Sequence, residues 1–308
     1  MKNYYPEGML LETLANRRSV CSPTSLSEAA ARAEMLEGKV ILCDSCHNLV
    51  VDLGCMQGII PRNEGAIGIA DGSVKDIALL SRVGKAVCFQ VKSVRSDHTG
   101  RLYALLSRKS VQERCRDEYI SRLVPGDIVK SRVTHIESFG AFCDIGCGII
   151  ALLPIDAISV SRISHPSDRL KVGDDIKAVV RSVDSAGRIT LSHKELLGTW
   201  AENAARFGAG QTVRGIVRSV EDYGIFVELT PNLAGLAESK AGISAGNLVS
   251  VYIKSLNPER MKVKLIVIDT IEGENISREP TYFIEEDHID RWVYSPPQSV
   301  KVVETIFK

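Results

Sequence analysis

Apolar and polar side chains alternate with a period of two through residues 127–136, 139–145, 149–153, 175–183 and 188–192, which is the pattern of half-buried strands. Glycine-marked turns separate them: Gly146-Cys147-Gly148 before the third run, and Asp184-Ser185-Ala186-Gly187 before the fifth. Five short strands in about 70 residues cannot bury two sheet faces, so they predict a small sheet closed on itself. Helical spacing appears elsewhere. Val111, Cys115, Tyr119 and Leu123 fall four residues apart, as do Leu196, Trp200 and Ala204, and both sets predict short amphipathic helices. Ser25 with Glu28, ahead of Leu26, Ala29, Ala30 and Ala33, reads as a capping box opening a further helix.

The strand pattern recurs. Phe139-Gly140-Ala141-Phe142 returns 84 residues later as Tyr223-Gly224-Ile225-Phe226, and each is followed by an acidic-aliphatic step, Asp144-Ile145 and Glu228-Leu229. The offset holds from Gly126/Gly210 to Leu152/Leu236 and falls to 73 at Gly173/Gly246, so the later copy lacks 11 residues around the position of His165. A surface connection can be shortened in this way without loss of the ladder. An earlier, weaker copy runs from Gly38 to Arg101, with His47 and Val50 where the middle copy has Phe139 and Phe142. The long gap before the fourth strand is that of the OB architecture. The chain is therefore expected to be mainly β: tandem five-stranded OB barrels joined by short helices. The expected divisions are a helical segment (1–35), a degenerate first barrel (36–108), a helical linker (109–123), a second barrel (124–193), a helical linker (194–207), a third barrel (208–269) and a C-terminal β extension (270–308). Two or three strands in that extension are expected to pack on the third barrel.

An aromatic pair at i and i+3 is ordinarily core. Here other apolar positions fill the barrel and a glycine bends the chain between the rings, so Phe139, Phe142, Tyr223 and Phe226 are expected on an open face, where rings stack with unpaired bases. The net charge of zero excludes binding by a blanket of cations over phosphates. Residues 36–123 carry 13 basic and 10 acidic side chains, whereas 270–308 carry 4 and 8, which directs a nucleic-acid path away from the tail. The eight cysteines are scattered and read as small apolar residues of a reducing compartment. Cys43-Asp44-Ser45-Cys46 lacks the second ligand pair of a zinc site, so no metal and no cofactor is expected. There is no phosphate loop, HExxH, GxSxG or convincing carboxylate pair, and no enzymatic activity is expected. His135 and His165 read as surface or loop-anchoring residues. No apolar run is long enough to cross a bilayer and the start lacks a signal-peptide pattern, so the cytoplasm is the expected location.

The middle copy resembles the RNA-binding repeat of bacterial ribosomal protein S-one, through Pro125-Gly126-Asp127, Phe139-Gly140-Ala141-Phe142, Asp144-Ile145-Gly146, His165-Pro166-Ser167-Asp168, Val172-Gly173-Asp174 and Asp184 through Ser192. The whole chain resembles a short three-repeat member of that family. The resemblance implies an RNA face made of two strand-two aromatics, a strand-three histidine, and an aspartate and arginine about the last turn. These map to Phe139, Phe142, Asp184 and Arg188, with Pro154 at the histidine position, and to Tyr223, Phe226, Asn257 and Lys262, with Glu238 there. Asp184 as a plain turn cap is the alternative. The first copy keeps only Arg101.

The resemblance further implies a monomeric, non-membrane binder of single-stranded RNA that acts in translation, with the small ribosomal subunit as a partner. The second and third barrels would contact RNA unevenly, strongest in the middle, with the first serving as a docking or spacer domain. Two alternatives stand beside it: a regulator of RNA turnover or stress independent of the ribosome, and a protein-assembly module with vestigial RNA binding.

Overall fold

The computed structural model describes residues 4–272 and 280–308. Three closed five-stranded barrels follow one another. The first is β1 (Met35–Cys43), β2 (Leu49–Asp52), β3 (Gln57–Ile60), β4 (Ala86–Ser96) and β5 (Leu102–Ser107). The second is β6 (Ile128–Glu137), β7 (Gly140–Asp144), β8 (Ile150–Pro154), β9 (Asp175–Val183) and β10 (Ile189–Ser192). The third is β11 (Thr212–Glu221), β12 (Gly224–Thr230), β13 (Leu233–Ala237), β14 (Leu248–Asn257) and β15 (Lys262–Thr270). In each, the strands close in the order first, second, third, fifth, fourth, and a parallel third–fifth contact seals the barrel. This is the OB arrangement, and closure leaves no free sheet edge.

Helices fill the connections: α1 (Leu14–Ser19), α2 (Pro23–Ala31), α3 (Ile77–Leu80), α4 (Lys109–Glu118) and α5 (Trp200–Ala204). The capping box of α2 belongs to Ser22 and Ser25, not to Ser25 and Glu28. Pro23 explains the earlier start, because its fixed φ suits the first helical turn and that turn needs no N–H there. Val111 and Cys115 of α4 are buried as their spacing requires, and a short 3-10 turn over Ile120–Arg122 follows.

The chain forms two compact units, Met1–Leu123 with Lys130–Arg132 and Asp144–Ile150, and Val124–Val129 with Val133–Cys143 and Ala151–Lys308. In the first unit, Leu26 and Ala29 of α2 seal a core of Leu36, Val40, Leu49, Ile60, Phe89 and Leu106. Its N-terminal strand-less segment is pinned by two buried carboxylates. Glu37 accepts the Gly8, Leu10 and Leu11 amides, and Glu7 pairs with the buried Arg108 at 2.7 Å.

In the second unit the last two barrels are packed together by polar contacts. The connection between β8 and β9, longer than its counterpart between β13 and β14, carries Arg169, whose guanidinium reaches Glu228 on β12. Arg218 on β11 donates to the same carboxylate at 2.7 Å, and Glu228 is 4% exposed. Asn232 adds a second tie: its Oδ1 accepts the Val160 amide, and its amide nitrogen donates to the Lys194 and Gly198 carbonyls. The residues that the third copy lacks thus fall within a loop that docks the two barrels.

The tail differs from expectation. Among the described residues its strands, β16 (Arg291–Val293) and β17 (Glu304–Ile306), pair with each other, and it lies on both barrels of the unit. Trp292 and Tyr294 enter the third-barrel core, while Phe307 packs on Val179 and Leu196 of the second. Tyr282 accepts the Lys177 amide at 2.9 Å and meets the buried His193 at 3.3 Å. The large rings of this segment thus bury apolar area against both barrels.

Candidate nucleic-acid interface

The first ring of each pair lies in a two-residue turn, Ser138-Phe139 between β6 and β7 and Asp222-Tyr223 between β11 and β12. On one continuous strand, residues at i and i+3 would face opposite sides. The turn removes that conflict. Phe139 is 54% and Tyr223 70% exposed, while Phe142 and Phe226 stand half-buried on the outer faces of β7 and β12. Within each pair the rings meet edge to face, with centroids 6.0 Å apart at 89° and 6.1 Å apart at 86°. Glycine between the rings is required by close packing. A Cβ on Gly140 or Gly224 would come within 2.5 Å of the Leu153 or Ala237 carbonyl oxygen.

Around the third-barrel pair the strand register defines a lateral row. Ser219 lies opposite Phe226, Phe226 opposite Leu236, Leu236 opposite Lys264, and Lys264 opposite Ser255. Lys262, two residues before Lys264 on the same face of β15, lies opposite Asn257. In the second barrel Leu152 lies opposite Thr190, and Thr190 opposite Ser182. There His135 stacks on Phe142, with centroids 6.2 Å apart and planes inclined 25°.

The cationic corner is built by the last turn. Asp184 accepts the Ala186 and Arg188 amides at 2.9 and 2.8 Å and pairs with the Arg188 guanidinium at 2.7 Å, contacts that hold its carboxyl below the usual carboxylate range. Asn257 accepts the Arg260 amide at 2.8 Å in the equivalent turn. Both residues are therefore turn caps first, and the Asp184 turn presents Arg188, 84% exposed.

Residues 123–194 match the family model of the S1 RNA binding domain. The small ribosomal subunit protein bS1 of Staphylococcus aureus (strain COL) is 28% identical over 268 residues, covering 82% of this chain and 66% of that protein. The bS1 of Leuconostoc lactis is 31% identical over 234 residues, covering 70% of this chain and 52% of its own length. The chain thus carries an S1 RNA binding domain and is similar to bS1 proteins over most of its length. It spans about two thirds of the Staphylococcus relative and about half of the Leuconostoc one. A multidomain Streptococcus pneumoniae protein with nucleic acid binding domains aligns over 77% of this chain and 74% of its own, at 16% identity and a TM-score of 0.24.

The first barrel, which lies outside the residues matched by that model, carries the same row with different chemistry. Leu42 lies opposite Val50, Val50 opposite Ile59, Ile59 opposite Leu105, and Leu105 opposite Ser93. No ring occupies it. His47, at the turn position of Phe139, has φ +61° and leans towards Asp76 at 3.8 Å. Arg101 closes the Asp97 turn through its amide.

The structure thus gathers Phe139 with Phe142 and Tyr223 with Phe226, and sets Asp184 with Arg188 and Asn257 with Lys262 at the matching turns. Two platform neighbours lie beyond those expectations, His135 being expected only as a surface or loop-anchoring residue. His135 was legible by counting seven residues back from Phe142 across a two-residue turn, the register that pairs Ser219 with Phe226. Lys264 was hidden by the extra residue before Lys262, which shifts the ladder.

Proposed function

We propose that this chain is a non-enzymatic binder of single-stranded RNA that acts with the translation apparatus and holds mRNA near the small ribosomal subunit. The carrying observation is the exposed edge-to-face aromatic pair, built twice with the same turn and the same glycine approach in consecutive barrels. Phe139, Phe142, Tyr223 and Phe226 supply stacking surface. A base stacked on an exposed ring contributes about 1–3 kcal/mol and reads little sequence. Arg188 and Lys262 supply phosphate contacts, while Asp184 and Asn257 shape the turns that present them. With so few cations, affinity falls gently with salt. Two modest sites held in one compact unit gain by effective concentration, the second site being local once the first is filled.

Glu238, exposed beside the third-barrel platform, repels phosphate and makes that site the weaker one. The aliphatic row of the first barrel offers no stacking and fits a docking or spacer role. Anisotropy with a short unstructured RNA tests the reading, and Phe142→Ala combined with Phe226→Ala is expected to abolish most binding. Unchanged affinity would favour the assembly-module alternative. Cosedimentation with small ribosomal subunits at moderate salt separates a translation role from a free RNA-turnover regulator, which would stay in the supernatant.

A further inference from the structure

We infer that His135 is an RNA-contacting residue of the second barrel, extending the two-phenylalanine platform into a three-ring shelf that the third barrel lacks. This rests on the reading that the aromatic faces bind RNA. His135 is exposed on β6, its ring lies near-parallel to Phe142, and Phe142 in turn meets the edge of Phe139. Three rings therefore line one open surface. The Glu137 carboxylate, two residues along the same strand, lies 2.7 Å from His135 Nε2 and fixes the ring. Its flat face is open to stack with a base as an aromatic ring does.

The row position is the variable one among the barrels. It holds Ser219 opposite Phe226 in the third and Leu42 opposite Val50 in the first. A serine offers no stacking surface and leucine no flat one. The second barrel, which has Pro154 where the family pattern places a histidine, thus carries an imidazole on the opposite neighbour of Phe142. The ligand class is an unpaired base with its ribose, stacked across His135 and Phe142.

Oligouridylate anisotropy on the full chain tests this with four variants. His135→Ala is expected to weaken binding about fivefold, within the range for loss of one stacking partner. His135→Phe is expected to stay within about twofold of the parent. In a Phe142→Ala background, where the third barrel dominates, Ser219→His is expected to restore affinity several-fold. The His135 Cε1–H resonance is expected to shift on RNA addition, which a purely structural residue would not show. If Phe142→Ala weakens binding but His135→Ala does not and the His135 resonance stays fixed, the inference is overturned while the RNA face stands. If neither variant weakens binding, the underlying reading fails instead.

Discussion

The second and third barrels build the same ring pair and surround it differently. Strand order, turn length, close-approach glycine and edge-to-face geometry are shared. The row beside the rings is not: His135 and Thr190 flank Phe142 and Leu152 in one, and Ser219 and Lys264 flank Phe226 and Leu236 in the other. Backbone constraints therefore preserve a platform, because moving its glycine collides with a carbonyl. The outward-facing neighbours carry no packing constraint and set what each platform holds. The first barrel marks the far end of this series, with the same closed ladder and an aliphatic row.

The end of strand two shows a parallel divergence. Asp52 accepts its local Gly54 amide and is exposed, Asp144 is buried and accepts the Glu7, Gly146 and Gly148 amides, and Glu228 is buried between Arg169 and Arg218. One acidic position serves as a turn cap, an anchor for the N-terminal segment, and a barrel-to-barrel tie.

The largest expected effect breaks that tie. Glu228→Ala leaves two largely buried guanidinium groups without their shared carboxylate and is expected to destabilise the second unit by about 3 kcal/mol, read as a lower denaturant midpoint. A loss below about 1 kcal/mol would make the pairing incidental. Next comes acid. Burial pushes His193 down to about 4, so the unfolded chain takes up a proton below about 6.5 that the folded chain refuses. Stability from this group is complete above pH 6.5 and is lost as pH falls towards 4, on the order of 2 kcal/mol by pH 5. His193→Gln is expected to flatten this part of the melting profile between pH 7 and pH 5, and an unchanged profile would assign the acid sensitivity elsewhere.

Smaller effects sharpen the contrast between the platforms. Lys264→Ala is expected to weaken RNA binding about threefold and to lower the salt slope by about 0.7 through loss of one phosphate contact to a single strand. Thr190→Ala at the equivalent place is expected to leave the slope unchanged. Smallest is Asp184→Ala. Arg188 remains exposed after that change, so affinity is expected to move less than about twofold, and a tenfold loss would show that Asp184 touches RNA itself.

Much of the fold was legible because barrels of this size announce their turns. The run at 175–183 coincides with β9, and the Asp184 turn was readable from Asp-x-x-Gly. Positions set by short-range rules failed by small amounts: Pro23 moved a helix start, and a two-residue turn took Phe139 off its strand. What could not be read were pairings across the chain. Arg169 and Glu228 are 59 residues apart with no local sign of meeting, and Tyr282 meets His193 from 89 residues away. Side-chain partners of that kind are decided by tertiary packing, to which periodicity is blind.

Unequal RNA binding by two platforms of one design is tested most directly by single substitutions measured side by side. Anisotropy of a short oligouridylate with Phe142→Ala and with Phe226→Ala is expected to show about a tenfold or greater loss for the first and a clearly smaller loss for the second. Equal losses, or a larger loss from Phe226→Ala, would contradict the account.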